Sequence, residues 1–180
     1  MPGYDLEVLD AMLIDGRSGA GKTDLAARIA NRLRELGREP QLLHVEHLYP
    51  GWDGLAEGSR TVADALDGGG YRRYDWWAEA FAERVPVTPD RPLLIEGCGS
   101  ITAENLAAAR RWALRATDPG RPASVWSVWI ECPAEVRRSR ALSRDGETYA
   151  PHWDRWAAQE ELLYEEHRPW LLADELLHCS

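Results

Sequence analysis

Short apolar runs alternate along the chain with longer stretches in which apolar residues recur at helical spacing. Ala11-Met12-Leu13-Ile14-Asp15 is an apolar run closed by an acid, the pattern of a strand buried on both faces. Beyond a glycine-rich segment, Leu25, Ile29, Leu33 and Leu36 fall on one helical face, and Gly37 is a natural stop. Gln41-Leu42-Leu43-His44-Val45 predicts a second strand, and Tyr49-Pro50-Gly51-Trp52-Asp53-Gly54 is dense in turn formers. A short helix is expected from about Leu55 to Leu66, ended by Gly68-Gly69-Gly70. A second is expected from near Asp75 to just before Pro86.

Pro92-Leu93-Leu94-Ile95-Glu96 predicts the third strand, and an Ala-rich helix follows around Ala103 to Ala116. Val125 to Ile130 is the fourth strand, Pro133 suits the first turn of the next helix, and a further helix runs from Trp153 to His167. Leu176-Leu177-His178 fits a short edge strand. This alternation is the signature of an α/β fold with a parallel sheet of about five strands and helices on both faces.

The length of 180 residues suits one domain. The formal net charge of -9 argues against a nucleic-acid polymer as partner, because phosphate-backbone binding needs a basic face. A small phosphorylated ligand needs only a local cationic cluster. The first residues lack the basic and apolar regions of a signal peptide, and no apolar stretch is long enough to span a membrane. Cys98, Cys132 and Cys179 have no metal-ligand or disulfide spacing, and Cys98 and Cys132 read as buried free thiols. A cytoplasmic location is expected. Nine tryptophans fill the core for the most part, with Trp52, Trp76, Trp77, Trp153 and Trp156 close to candidate site segments.

Gly16-Arg17-Ser18-Gly19-Ala20-Gly21-Lys22-Thr23 follows the first strand and opens the first helix. Its glycines let successive backbone amides curl around phosphate oxygens, and the positive end of the helix faces the anion. Lys22 is expected to reach the outer phosphates and the Thr23 hydroxyl to ligate Mg2+, which implies ATP or another nucleoside triphosphate.

With this loop, four further segments resemble the uridine kinase-like branch of P-loop kinases. Glu46-His47-Leu48-Tyr49 stands where that family has Asp-x-Phe-Tyr, whose acid takes the proton from the attacking hydroxyl. Glu46 is therefore the candidate base, placed after an apolar run expected to be the strand beside the phosphate loop. Ile95-Glu96-Gly97 matches the strand end whose acid holds the metal. Arg137, Arg140 and Arg144 match an Arg-x-x-Arg-x-x-x-Arg-Asp lid over the nucleotide, at about 134–152, and share one helical face. Tyr74-Asp75-Trp76 resembles the family's Tyr-Asp-Phe. With Tyr49, Trp52, Asp53 and Arg73 it implies an acceptor-binding insertion at about 46–90.

The resemblance implies a three-layer P-loop NTPase fold with a helical lid. It implies transfer of the γ-phosphoryl of ATP to a hydroxyl of a small molecule, with a nucleoside-like acceptor favoured. Two other functions use the same loop. One is a nucleotide-dependent regulatory ATPase. The other is a kinase-like protein that modifies or sequesters an antibiotic or other secondary metabolite. A GTPase would carry Asn-Lys-x-Asp to read the base, and the sequence has none.

Overall fold

The computed structural model describes residues 3–116 and 120–179. In chain order the elements are β1 (Ala11–Gly16), α1 (Lys22–Glu35), β2 (Gln41–His44), a 3-10 turn (Val45–Leu48) and α2 (Leu55–Asp67). Then come β3 (Gly70–Asp75), β4 (Ala80–Pro86), β5 (Leu93–Glu96), α3 (Ala103–Ala116) and β6 (Val125–Glu131). The chain continues through α4 (Ala134–Tyr149), a 3-10 turn (Ala150–His152), α5 (Trp153–His167), α6 (Pro169–Leu172) and β7 (Glu175–His178).

Five parallel strands form the main sheet in the order β2-β5-β1-β6-β7. β1 is central and buried throughout. Its residues alternate between two cores, as a period of two requires. Met12 and Ile14 join Leu25, Ile29 and Leu33 of α1 on one face. Ala11 and Leu13 join Leu66, Trp112 and Leu163, from α2, α3 and α5, on the other.

The expected helix between Asp75 and Pro86 is instead the second strand of an antiparallel hairpin, β3–β4. The Asp75 carboxylate accepts hydrogen bonds from the amides of Trp77 and Ala78, and Glu79 takes a left-handed φ of 51°. These local bonds turn the chain back before a helix can start. Arg73 and Glu83 then pair across the strands at 2.7 Å. Pro133, expected in the first turn of α4, lies one residue outside it at the cap.

Cys98 is a buried free thiol, as expected. Cys132 is not, because it is bonded to Cys179. The register explains this: Glu131 of β6 lies opposite His178 of β7, so the next residue of each strand meets the other. This pairing removes the argument from cysteines for a reducing compartment. Among the described residues, no helix is long and apolar enough to cross a membrane.

Asp15, next to last in β1, is fully buried. Its Oδ1 accepts from Gly16 N at 2.7 Å, Gly99 N at 3.1 Å and the Tyr164 hydroxyl at 2.7 Å. Its Oδ2 accepts from Ile101 N at 2.9 Å. Burial outweighs these donors and pushes the carboxyl up from 3.8 to about 6. The folded state therefore holds a proton that the unfolded chain releases in this interval. Asp15's contribution to stability is greatest below pH 3.8 and is lost as the pH rises to about 6. The loss is on the order of 3 kcal/mol. Asp15→Asn should flatten this slope. Urea midpoints at both ends of the window check it, and an unchanged slope would assign it to other groups.

Candidate active site

Residues 17–21 form the turn from β1 into α1. Gly19 and Gly21 sit at φ 81° and 98°, the left-handed region that side chains avoid. A Cβ at Gly19 would also collide with the backbone of Arg137, so the loop packs directly under the start of α4. Lys22 is buried, and its Nζ donates to the carbonyls of Gly16 at 2.8 Å and Arg17 at 3.1 Å. Burial opposes its charge, but Cys98, Glu160, Glu96 and Asp15 around it hold the ammonium above the ordinary lysine value.

The residues expected on the metal side meet because β2 and β5 pair with His44 opposite Glu96. Their side chains emerge together, with His44 Nδ1 at 2.5 Å from Glu96 Oε1. The Thr23 hydroxyl donates to Glu96 Oε2 at 3.3 Å. The hydrogen bond to Glu96 raises the His44 pKa against the effect of burial. Burial opposes ionisation of Glu96, but His44, Lys22 and Thr23 together hold its carboxyl below the usual range. A carboxylate kept charged beside a hydroxyl at the mouth of the phosphate loop is the hard oxygen pair that magnesium prefers.

Glu46 lies in the 3-10 turn after β2. The strand before it is not beside the phosphate loop, because β5 stands between β2 and β1. A carboxylate-ended strand, β5, takes the place next to β1, and Glu46 starts one strand further out. Its side chain is exposed to solvent. Partial loss of water, with Glu96 nearby, raises its carboxyl against the pull of His44 and Arg144.

The acceptor candidates separate into two groups. Trp52 stacks on His152 at 4.1 Å between ring centres and on Tyr149 at 5.5 Å. It meets Trp76 and Trp156 edge-on, and Tyr74 meets Trp76. The other candidates are engaged in holding the fold. Tyr49 is buried, with its hydroxyl donating to Cys98 O at 2.7 Å. Asp53 is exposed and paired with Arg155, Asp75 caps the hairpin, and Arg73 pairs with Glu83. Trp77 is 97% exposed on the hairpin turn, away from the aromatic group.

The three arginines of α4 differ from one another. Arg137 is buried, donating from Nε to Cys132 O at 3.0 Å and from Nη1 to Ser18 O at 3.2 Å, so it is fixed against the loop. Arg140 Nη1 lies 3.9 Å from Cys132 Sγ. Arg144 is exposed, pairs with Asp145 at 2.7 Å and faces the field of Glu46. Gly146 interrupts α4 with φ 54° and ψ -133°, separating the arginine turns from the segment leading to α5.

Residues beyond the sequence candidates also shape the site. Asp15 and His44 close apolar strands with a polar side chain, a signal present in the sequence. Glu160 and Tyr164 lie with Trp156 at four-residue intervals on α5, a stripe that reads as ordinary helix packing until the fold brings it to the loop. Cys98 Sγ stands between Lys22 Nζ at 3.4 Å and Glu160 Oε1 at 3.2 Å, and burial pushes its thiol up to about 12. A cavity of about 520 Å³ opens beside this group, walled by Arg17, Cys132, Arg137, Trp153 and Glu160.

No protein-family profile matches the chain, and no curated protein is similar to it in sequence. Among solved structures it is similar to a possible uridine kinase from Bacillus stearothermophilus, at TM-score 0.54 and 19% identity, over 94% of this chain and 88% of that one. It is similar to a candidate fructose transport system kinase from Silicibacter sp. TM1040, at TM-score 0.55 and 18% identity, over 98% and 92%. A gluconokinase from Sinorhizobium meliloti 1021 matches at TM-score 0.50 and 14% identity, over 95% and 82%. The chain has the fold of the P-loop kinases, as the sequence resemblance implied.

The Trp52 cluster ties the turn after β2 to the turn before α5. Trp52→Ala should lower unfolding stability by about 2–4 kcal/mol, the scale for loss of a packed large aromatic. Urea denaturation followed by near-ultraviolet dichroism checks this, and a loss under half a kcal/mol would mean the stacking is incidental.

Proposed function

We propose that this chain is a P-loop phosphotransferase that moves the γ-phosphoryl group of ATP to a hydroxyl of a small molecule with a planar ring, nucleoside-like in shape. The observation that carries the reading is the meeting of Lys22, Thr23 and Glu96 at the mouth of a glycine loop in a kinase fold. The loop amides and Lys22 bind and neutralise the phosphates. Thr23 and Glu96 would hold magnesium, which when bound screens the phosphate oxygens and orients them for in-line transfer. Arg137 keeps the loop pressed under α4, and Arg140 and Arg144 supply positive charge from the segment above it.

The acceptor assignment rests on the aromatic group of Trp52, Trp76, Tyr149 and His152, faces on which a flat ring can stack. Glu46 is the proposed base. Its raised carboxyl is better matched to accepting a proton near neutrality than an ordinary glutamate, and Glu96 and Arg144 set its field. Asp53 and Asp75, engaged with Arg155 and the hairpin turn, are the weaker candidates for that task.

Lys22→Ala should leave the fold intact and cut phosphoryl transfer by several kcal/mol of transition-state stabilisation, roughly a thousandfold or more. Steady-state turnover with circular dichroism as the folding control measures it, and near-normal transfer by the folded variant would remove Lys22 from the site. Glu46→Gln keeps the shape and removes the basicity. It should lower turnover by roughly a hundredfold while nucleotide affinity barely moves. Normal turnover here, with loss in Asp53→Asn or Asp75→Asn, would reassign the base. For Glu96→Gln the magnesium concentration needed for half-maximal rate should rise more than the nucleotide KM. Equal changes in both would make Glu96 a structural residue only.

A further inference from the structure

We propose that Glu160 is a positioning residue of the phosphate loop: its carboxylate holds the Ser18 amide as an internal anion and gives way to incoming phosphates, so that filling the loop releases α5. The proposal rests on the nucleotide-binding reading of the loop. Glu160 is 2% exposed, although it is a carboxylate on a helix otherwise lined with solvent-facing acids. A buried carboxylate is costly unless donors meet it. The donors it meets are Ser18 N at 2.6 Å, Trp156 Nε1 at 3.2 Å and, through sulfur, Cys98 Sγ at 3.2 Å.

The first of these donors belongs to the loop itself. Backbone amides curled by glycines form a nest that selects anions, and here one of them is held by a side chain 142 residues away in the sequence. Lys22 is also within the electrostatic reach of Glu160. Two negative groups cannot share this small positive site without mutual repulsion, so the phosphates and Glu160 compete for it.

The chain connects this competition to movement. Trp156, Glu160 and Tyr164 form one stripe of α5, and Tyr164 donates to Asp15 beneath the loop at 2.7 Å. Upstream, Gly146 breaks α4 before the turn that leads into α5. Loss of the Glu160 contact therefore loosens the first turns of α5, while the Tyr164 end stays anchored.

Glutamine separates this role from simple structural support. It can accept from Ser18 N and Trp156 Nε1 as glutamate does, but it carries no charge. Binding of tripolyphosphate and of a non-hydrolysable ATP analogue is measured by calorimetry at fixed ionic strength, for the wild-type chain and Glu160→Gln. The variant should bind both more tightly, by roughly tenfold. In the wild-type chain, tripolyphosphate should speed hydrogen exchange in the first half of 153–167, and this measurement decides alone if the variant does not fold. Equal or weaker binding by a folded Glu160→Gln, or exchange in that segment that tripolyphosphate leaves unchanged or slows, overturns the proposal while nucleotide binding stands. Failure of both proteins to bind either probe overturns it together with the nucleotide reading.

Discussion

The buried carboxylate of Asp15 is the constraint on which the rest of the site depends. It sits next to last in the central strand, just before the glycine loop, and it is wholly buried. It finds donors in three places at once: the loop after β1, the loop after β5 and the hydroxyl of Tyr164 on α5. Each of these segments carries site residues. Gly16 leads to Lys22, the loop after β5 follows Glu96 and carries Cys98, and α5 presents Glu160. One buried acid therefore sets the mutual distances of the groups around Lys22. The four donors offset only part of the desolvation it suffers, and each of them gains a partner in a dry interior.

The surface charge works against an anionic ligand, and the site has to overcome it locally. With a formal net charge of -9, the proposed triphosphate would approach a repulsive molecule. The cations that oppose this are concentrated at one end of the sheet: Lys22 and Arg17 from the loop, and Arg137, Arg138 and Arg140 from the first turns of α4. The Cys132–Cys179 bond ties β6 to the edge strand β7 just before those turns, so the start of α4 leaves from a braced edge. Acids gather here as well. Glu96, Glu160 and Asp15 all raise the pKa of Lys22, which keeps its charge in a place where burial would remove it.

Much of the fold was legible because both periods were clear. The apolar strands β1, β5 and β6 have no competing pattern, and α1, α3 and α5 match their predicted spans closely. The phosphate loop was legible because its geometry depends on glycines and a fixed lysine spacing. What could not be read were pairings distant in sequence. Nothing local in Asp75 to Pro86 favours a hairpin over a short amphipathic helix until the Asp75 carboxylate caps the turn. The bond between Cys132 and Cys179 needs β6 and β7 to be neighbours, a fact of sheet order. Sheet order also places Glu46 one strand further from the loop than expected. Glu160 was hidden for the same reason, since only the docking of α5 separates it from the exposed acids of that helix.

In the proposed function, the groups around Lys22 transfer a phosphoryl group to an acceptor hydroxyl. The most direct measurement is ATP carrying a radiolabelled γ-phosphate, incubated with magnesium, the protein and a panel of nucleosides, sugars and other ring-bearing alcohols. Label and ADP are followed together. A kinase should release ADP only with a particular acceptor, with the label recovered in equal amount on that acceptor. ADP release that is the same with every acceptor and yields only labelled inorganic phosphate would contradict it, and would make the protein a nucleotide hydrolase rather than a kinase.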